Sequence, residues 1–472
     1  MGLKLSRELD KYRKEIADID SQILELAKAR LSKAQAIGVI KKQQNVPVID
    51  LKVEADVIDR SKKIARAIGL DEAFAARLVG SLIAEAVELQ KGASESGAQY
   101  LYGIFEKVKA LEAKGEKIIR FDLGEPDLSS PIELKDALKE ALYGSSFIGY
   151  VSTKGIPELR QAIADDLNQT YGVDLNSEQV LITPGGKFGI FLAIISKVSL
   201  GDHVVIPEPA WPVYGNCVRL VKGRVDALHT RFEDSWDIDI DEFEETLSVN
   251  PKLFVLCSPS NPTGKVISGK ALHEMVQLAK KKGTYILADE VYCAYSGVPF
   301  ESILQVTDSN FIYANSFSKR YGMTGWRIGY AVSDVETITR MQSLLQVSVT
   351  CVSEFVQRAA IRALEMRQDP FTAFAEEMVQ RINTACRELD QFPLSYVRPD
   401  GGMYVFPRAK AENFNSYDFA LKLLDEERVG VTPGVAFGDY PEHFRISLGT
   451  NMTDIRAGIR KIGEAISRWE SG

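Results

Sequence analysis

Beyond residue 98, short apolar runs rich in β-branched residues recur at intervals filled by helical patterns. They are Ile118-Ile119-Arg120-Phe121, Val180-Leu181-Ile182, Val204-Val205-Ile206, Leu253-Phe254-Val255-Leu256, Tyr285-Ile286-Leu287-Ala288 and Phe311-Ile312-Tyr313. Strand, helix, strand at this spacing predicts a mostly parallel sheet covered by helices on both faces. Such a sheet places its ligand sites outside the carboxyl ends of its strands. The residues that follow each run are therefore the ones to read for chemistry.

The first 91 residues have a different texture, with a single proline at position 47. Leu5, Leu9, Tyr12, Ile16, Ile19, Ile23 and Leu26 alternate spacings of four and three, which predicts one long amphipathic helix. The same register continues through Arg30, Lys33, Ile37 and Ile40. A guanidinium on an apolar seam is costly without an anionic partner, so Arg30 stands out. Asn45-Val46-Pro47 should break this helix, and Asp50 is placed to cap a second over about 51–67. Gly69 should end that helix, with a third running from Asp71 to about Gln90. Lys91 to Gly97 has linker composition.

Length alone implies two or three domains, and 45% apolar with 26% charged residues is the composition of a soluble globular protein. A net charge of −8 argues against a nucleic-acid binder, which needs a basic face. The five cysteines are scattered without a CxxC pair and there are only four histidines, so a metal site is not expected and a reducing compartment is. No signal peptide or membrane span is visible, and a cytoplasmic location follows as the expectation.

The segments after the strands carry convergent chemistry. Following Phe311-Ile312-Tyr313, Ser316, Ser318, Lys319 and Arg327 lie within a dozen residues. A lysine that bonds an aldehyde cofactor must have a neutral, immobile amine. Phosphate recognition calls for short hydroxyl donors and a forked guanidinium. Thr183-Pro184-Gly185-Gly186-Lys187 should follow a strand and open a helix, aiming backbone N–H groups and the helix dipole at an anion. Asp289 closes an apolar strand, where a carboxylate needs a cation.

Together these segments resemble the pyridoxal-phosphate (PLP) site of the class I and II aminotransferases, in that family's order, over roughly residues 98–470. The resemblance implies that Lys319 forms the Schiff base and that Asp289 pairs with the protonated pyridine nitrogen. Asn261, in Ser260-Asn261-Pro262-Thr263-Gly264, and Tyr292 would bond the ring oxygen, while Trp211 would stack on the ring. Gly186, Lys187, Ser316, Ser318 and Arg327 would serve the phosphate, with Tyr150 reaching it across a dimer interface. Gly124, Trp211 and Asn261 would line the substrate site, and Arg445 would grip the α-carboxylate. The peptide bonds before Pro209 and Pro262 are expected to be cis. No group for a distal substrate carboxylate is identified; Lys154 and Lys187 are candidates.

The head resembles the all-helical chorismate mutases. Their pericyclic reaction needs no nucleophile, only a dianion held in a strained conformer and donors to the ether oxygen. Arg30 and Lys41 lie eleven residues apart, about 16 Å along one helix, and their long side chains could converge on a small ligand. By resemblance Arg13 would come from a partner subunit and Arg30 would take a carboxylate. Lys41 and Gln90 would address the ether oxygen, and Asp50 and Glu54 the ring hydroxyl. Val53 and Ala86 depart from the arginine and serine frequent at these positions in relatives.

The implied fold is a three-helix all-α domain at 1–91, a linker at 92–98, and an α/β PLP-dependent transferase. The transferase would comprise a large domain at 146–344 with a mostly parallel seven-stranded sheet, and a smaller α/β domain from 99–145 and 345–472. The implied enzyme is bifunctional, a chorismate mutase joined to an aminotransferase that acts as a homodimer or larger homo-oligomer. Its partners would be small molecules: chorismate, an amino donor such as glutamate or aspartate, and a keto acid such as prephenate, an arylpyruvate or oxaloacetate. The alternative is an aminotransferase whose head only dimerises or regulates.

Overall fold

The seam of apolar residues at the start of the chain does form one helix, α1, over Gly2–Gln43. In this computed structural model, residues 2–44, 51–91, 97–144, 148–366, 371–411 and 414–470 are described. The expected break at Asn45-Val46-Pro47 and the cap at Asp50 lie outside them. Two further helices follow, α2 over Leu51–Ile68 and α3 over Glu72–Lys91. Gly69 adopts φ +72°, the left-handed turn that ends α2. The Asp71 carboxylate then accepts the Phe74 N–H at 2.7 Å and caps α3. Ala65, Ala75, Ile83 and Ala86 are buried within the head. By contrast Leu9, Tyr12, Ile16, Ile19, Ile23 and Leu26 stand between 50% and 71% exposed along α1. Among the described residues of one protomer, nothing buries this seam.

The chain divides into two compact units, the head within residues 1–95 and the body that follows. The body opens with α4, Gly97–Glu112, so residues 97 and 98, expected in the linker, already belong to a helix. A seven-stranded sheet comes next. Across it the strands run Val180–Thr183, Gly329–Ser333, Phe311–Ser316, Tyr285–Asp289, Leu253–Cys257, His203–Glu208 and Arg224–His229. Gly329–Ser333 pairs antiparallel with both neighbours, and every other pairing is parallel.

Period-two alternation sends successive residues to opposite faces, and both faces are covered. Ile182, Phe254, Leu256, Ile286, Ala288 and Tyr313 enter one apolar core. Leu181, Leu253, Val255, Leu287, Ile312 and Ala314 enter the other. Burial on both faces is why these strands read as unbroken apolar runs. The run at 118–121 behaves differently: Ile119–Arg120 pairs with Val429–Gly430 outside this sheet. It belongs to a third core gathered from residues such as Phe121, Met378, Phe419, Phe444 and Ile459.

Candidate functional site

Five strands of the sheet end where the sequence places chemistry. Asp289 closes Tyr285–Asp289, Ser316 closes Phe311–Ser316, and Asn261 follows Leu253–Cys257. Trp211 follows His203–Glu208, and Gly185-Gly186 follow Val180–Thr183. The bonds preceding Pro209 and Pro262 are cis, as is the one preceding Pro259.

Lys319 is half-buried. Burial lowers its amine to about 8, with Arg445 and Arg327 also pushing down against the pull of Glu125 and Asp289. Its Nζ donates to the Gly124 carbonyl, and its own carbonyl accepts the Tyr295 hydroxyl at 2.6 Å. The residue is thus held at its backbone and at its amine, and the amine is shifted toward the neutral form that a nucleophile requires.

Asp289 is 3% exposed, and burial raises its carboxyl to about 6. The Tyr214 hydroxyl donates to Oδ2 at 2.6 Å, and the Val291 N–H to Oδ1 at 3.3 Å. A carboxyl so desolvated is a seat for a cation. Tyr214 packs edge-on against Trp211, with ring centroids 5.5 Å apart. Tyr292 and Asn261 are both buried. Tyr292 shares a 2.7 Å hydrogen bond with the Tyr404 hydroxyl.

Gly185, at φ +80°, has no room for a side chain, because a Cβ there would strike the Arg327 guanidinium. A Cβ on Gly186 would stand 3.3 Å from that of Ser316. The two glycines open the helix Gly186–Lys197, so its amino end lies beside Ser316 and Arg327. Ser318 donates its N–H to Ser316 Oγ at 3.2 Å. This is an anion cradle of backbone donors, hydroxyls and one guanidinium, and it fits a phosphate. With Lys319 and Asp289 beside it, the donor set as a whole fits pyridoxal phosphate.

Arg445 is 3% exposed. Its Nη1 donates to Asn261 Oδ1 at 3.0 Å, and Nη2 to the Asp122 carbonyl at 2.8 Å and Thr432 Oγ1 at 3.1 Å. Its Nε is buried without a partner among the described residues. Lys187 is exposed, with Nζ 5.1 Å from the Trp211 ring centroid and 3.4 Å from the Tyr102 hydroxyl. Lys154 is buried and paired with Glu178 at 2.8 Å, which removes it as a free cation for substrate. Tyr150 is 89% exposed and is not brought to the site within this protomer.

The head gathers fewer of its expected residues. Arg30 is half-buried, burial lowers its pKa, and Nη1 donates to the Leu82 carbonyl at 2.7 Å. Lys41 is half-buried near the end of α1 and Glu54 is buried on α2. Arg13 is exposed and reaches Asp10 at 3.3 Å. Gln90 lies on α3, but its side chain, like Asp50, is outside the description.

Sequence reasoning gave no role to Tyr404, Tyr214 or Thr432. Tyr214 sits inside a segment already singled out, three residues after Trp211. Tyr404 follows Gly401-Gly402, a turn signal in front of an aromatic, but nothing local links it to Tyr292. Among the described residues no cluster of His, Cys, Asp or Glu could hold a metal, and no helix is long and apolar enough to cross a membrane.

Comparison with known proteins agrees with this geometry. Residues 116–462 match the family model "Aminotransferase class I and II", and residues 12–91 match "Chorismate mutase type II". An aspartate aminotransferase of Pyrococcus horikoshii is 33% identical over 362 residues, 75% of this chain and 92% of the relative. An Aquifex aeolicus protein named "Probable aspartate/prephenate aminotransferase" is 33% identical over 375 residues, 77% of this chain and 94% of the relative. The crystal structure of aspartate aminotransferase from Thermotoga maritima superposes with TM-score 0.74 at 30% identity, covering 79% of this chain and all of that one. Thermus thermophilus aspartate aminotransferase with maleate also gives 0.74, at 28% identity, over 79% of this chain and 99% of its own.

Proposed function

This chain belongs to the class I and II aminotransferases and carries a chorismate mutase type II domain ahead of it, a bifunctional enzyme, and we propose how the two activities join: the head rearranges chorismate to prephenate, and the body transfers an amino group from glutamate or aspartate to prephenate, an arylpyruvate or oxaloacetate. The observation that carries the body's part is the convergence of Asp289, Arg327 and Arg445 on Lys319, whose amine burial shifts toward neutrality.

In this reading Lys319 holds the cofactor's aldehyde, Asp289 its ring nitrogen, and Asn261 and Tyr292 its ring oxygen. Trp211 covers the ring's face. Gly186, Ser316, Ser318 and Arg327 take the phosphate, joined by Tyr150 of a second copy of this chain. The bound cofactor supplies an electron sink for the pair left when a proton departs the substrate's Cα. Arg445 would fix the α-carboxylate, and Lys319 Nζ, released from the aldehyde when the substrate's amine takes its place, would accept the Cα proton and later return it. Lys187 would meet a second carboxylate. Its place beside Trp211 supports a dicarboxylate acceptor, and the relative named for prephenate and the structure holding maleate point the same way.

In the head Arg30 would take a carboxylate of chorismate, exchanging poor solvation for an ion pair. Arg13 from a second copy would take the other. Lys41 and Gln90 would stabilise charge growing on the ether oxygen, and Asp50 and Glu54 would hold the ring hydroxyl. The exposed seam of α1 supports a homodimer, because an apolar face of this extent marks an interface.

The test is to incubate the purified chain with chorismate, and separately with glutamate or aspartate plus prephenate, phenylpyruvate or oxaloacetate. Chorismate consumption above the uncatalysed rate and turnover of prephenate are expected. Transamination without chorismate turnover would leave the head as a dimerisation module and remove the main argument for an aromatic acceptor.

A further inference from the structure

Tyr404 touches two groups that the proposed reading assigns to different ligands. It opens the short strand Tyr404–Val405 and is 1% exposed. Its hydroxyl and that of Tyr292 are 2.7 Å apart, with the rings edge to face at 79°. The Arg445 guanidinium lies 4.4 Å from the centroid of the Tyr404 ring. On the opposite strand of the pair, Ser447 faces Tyr404, two residues from Arg445. A Cβ on Gly124 would collide with the Tyr404 hydroxyl.

We infer that Tyr404 is a positioning residue that fixes the Tyr292 hydroxyl for the cofactor's ring oxygen and the Arg445 guanidinium for the substrate carboxylate. The inference rests on the cofactor site proposed above. Proton accounting supports it. Burial raises both phenols above the ordinary tyrosine range, so each brings one O–H. If Tyr292 gives its hydrogen to the ring oxygen, the hydrogen between the two tyrosines comes from Tyr404. Tyr292 then donates while accepting, which strengthens its own donation and fixes its direction.

Arg445 needs a wall as well as partners. Its Nη groups are held at the edge by Asn261, the Asp122 carbonyl and Thr432, but its Nε is buried with no partner among the described residues. The face of an aromatic ring is attractive to such a cation and fixes the plane of its fork. Gly124 completes the arrangement, since a side chain there would press on the Tyr404 hydroxyl and on the ring carbons next to it.

The two roles separate by substitution in the holoenzyme. Tyr404→Phe keeps the ring and removes the O–H. The pH midpoint of the bound cofactor's visible absorbance should rise by roughly half a pH unit, because a weakened donor at the ring oxygen is worth about one modest hydrogen bond. Tyr292→Phe should move it further in the same direction, and KM for the amino acid should stay unchanged in Tyr404→Phe. Tyr404→Leu should add a rise in KM of roughly 3- to 10-fold as the ring face is lost. If Tyr404→Leu does not fold, Tyr404→Met, which also lacks the ring face, should give the same rise in KM. A Tyr404→Phe midpoint equal to wild type, with Tyr292→Phe shifted, overturns the inference and leaves the cofactor site standing. A wild-type chain that acquires no visible absorbance with pyridoxal phosphate overturns both.

Discussion

The head and the body place charge in opposite ways. In the body, Asp289 and Arg445 are buried and already hydrogen-bonded to protein, so their orientation is set before any ligand arrives. In the head, Arg13 is exposed, Arg30 is half-buried against one carbonyl, and the seam of α1 faces solvent. A preorganised site costs little to reorganise during reaction, whereas a loosely placed one must be completed by something else. In the proposed reading, most of the body's site is built by one chain, with Tyr150 the exception. The head's site, in the proposed reading, is finished only by a second copy.

The sharpest way to break this comparison is to disable each region alone. Lys319→Ala should lower transamination by roughly 10³-fold or more, since in the proposed reading it removes both the attachment point and the proton carrier. It should also abolish the visible absorbance of bound cofactor, while chorismate turnover is unchanged. Arg30→Ala should do the reverse, lowering chorismate turnover by roughly 10²- to 10³-fold with transamination intact. Lys41→Ala should act mainly on kcat, because charge on the ether oxygen grows only in the transition state. Loss of both activities in either variant would mean the two regions do not function separately.

How much of this was legible beforehand follows the same division. Ser316, Ser318, Lys319 and Arg327 are close in sequence, and the strand before them reads plainly because both faces are buried. The strand Arg224–His229 was missed because it lies at the sheet's edge, where Asp226 and His229 interrupt the apolar pattern. Gly329–Ser333 was missed because it follows the lysine motif directly and runs antiparallel. The run at 118–121 looked like a member of the main sheet, and only tertiary pairing with Val429–Gly430 shows otherwise. Tyr404 was invisible because its partner Tyr292 is 112 residues away and no periodicity encodes that meeting.

A charge on the seam sharpens the comparison further. Ile16→Glu or Ile19→Glu alters an exposed position within one protomer, so the fold of each chain should persist. If the seam is an interface, burying an unpaired carboxylate there is unfavourable. Sedimentation should then show a smaller species or a concentration-dependent one. Chorismate turnover should fall by roughly tenfold or more, in line with the lost contribution of Arg13 from the second copy. Unchanged sedimentation and mutase activity would show that α1 is covered in some other way.

The smallest effect concerns a buried acid beside Asp289. Glu290 is 4% exposed, accepts the Ile303 N–H at Oε1 at 2.8 Å, and has no partner for Oε2 among the described residues. Burial, with the neighbouring Asp289 adding to it, raises its carboxyl from 4.5 to about 8. The folded body therefore holds a proton there that the unfolded chain releases. Stability from this group is fully present below pH 4.5 and declines as pH rises toward 8. Glu290→Gln keeps the shape and cannot ionise, so it should flatten that decline. Between pH 5 and pH 8.5 the wild-type unfolding temperature should fall more than the variant's, leaving Glu290→Gln the higher of the two at the alkaline end. The head should contribute nothing to this difference. A variant less stable than wild type at pH 8.5 would mean that Glu290 is ionised in the folded protein, with a partner for its free oxygen.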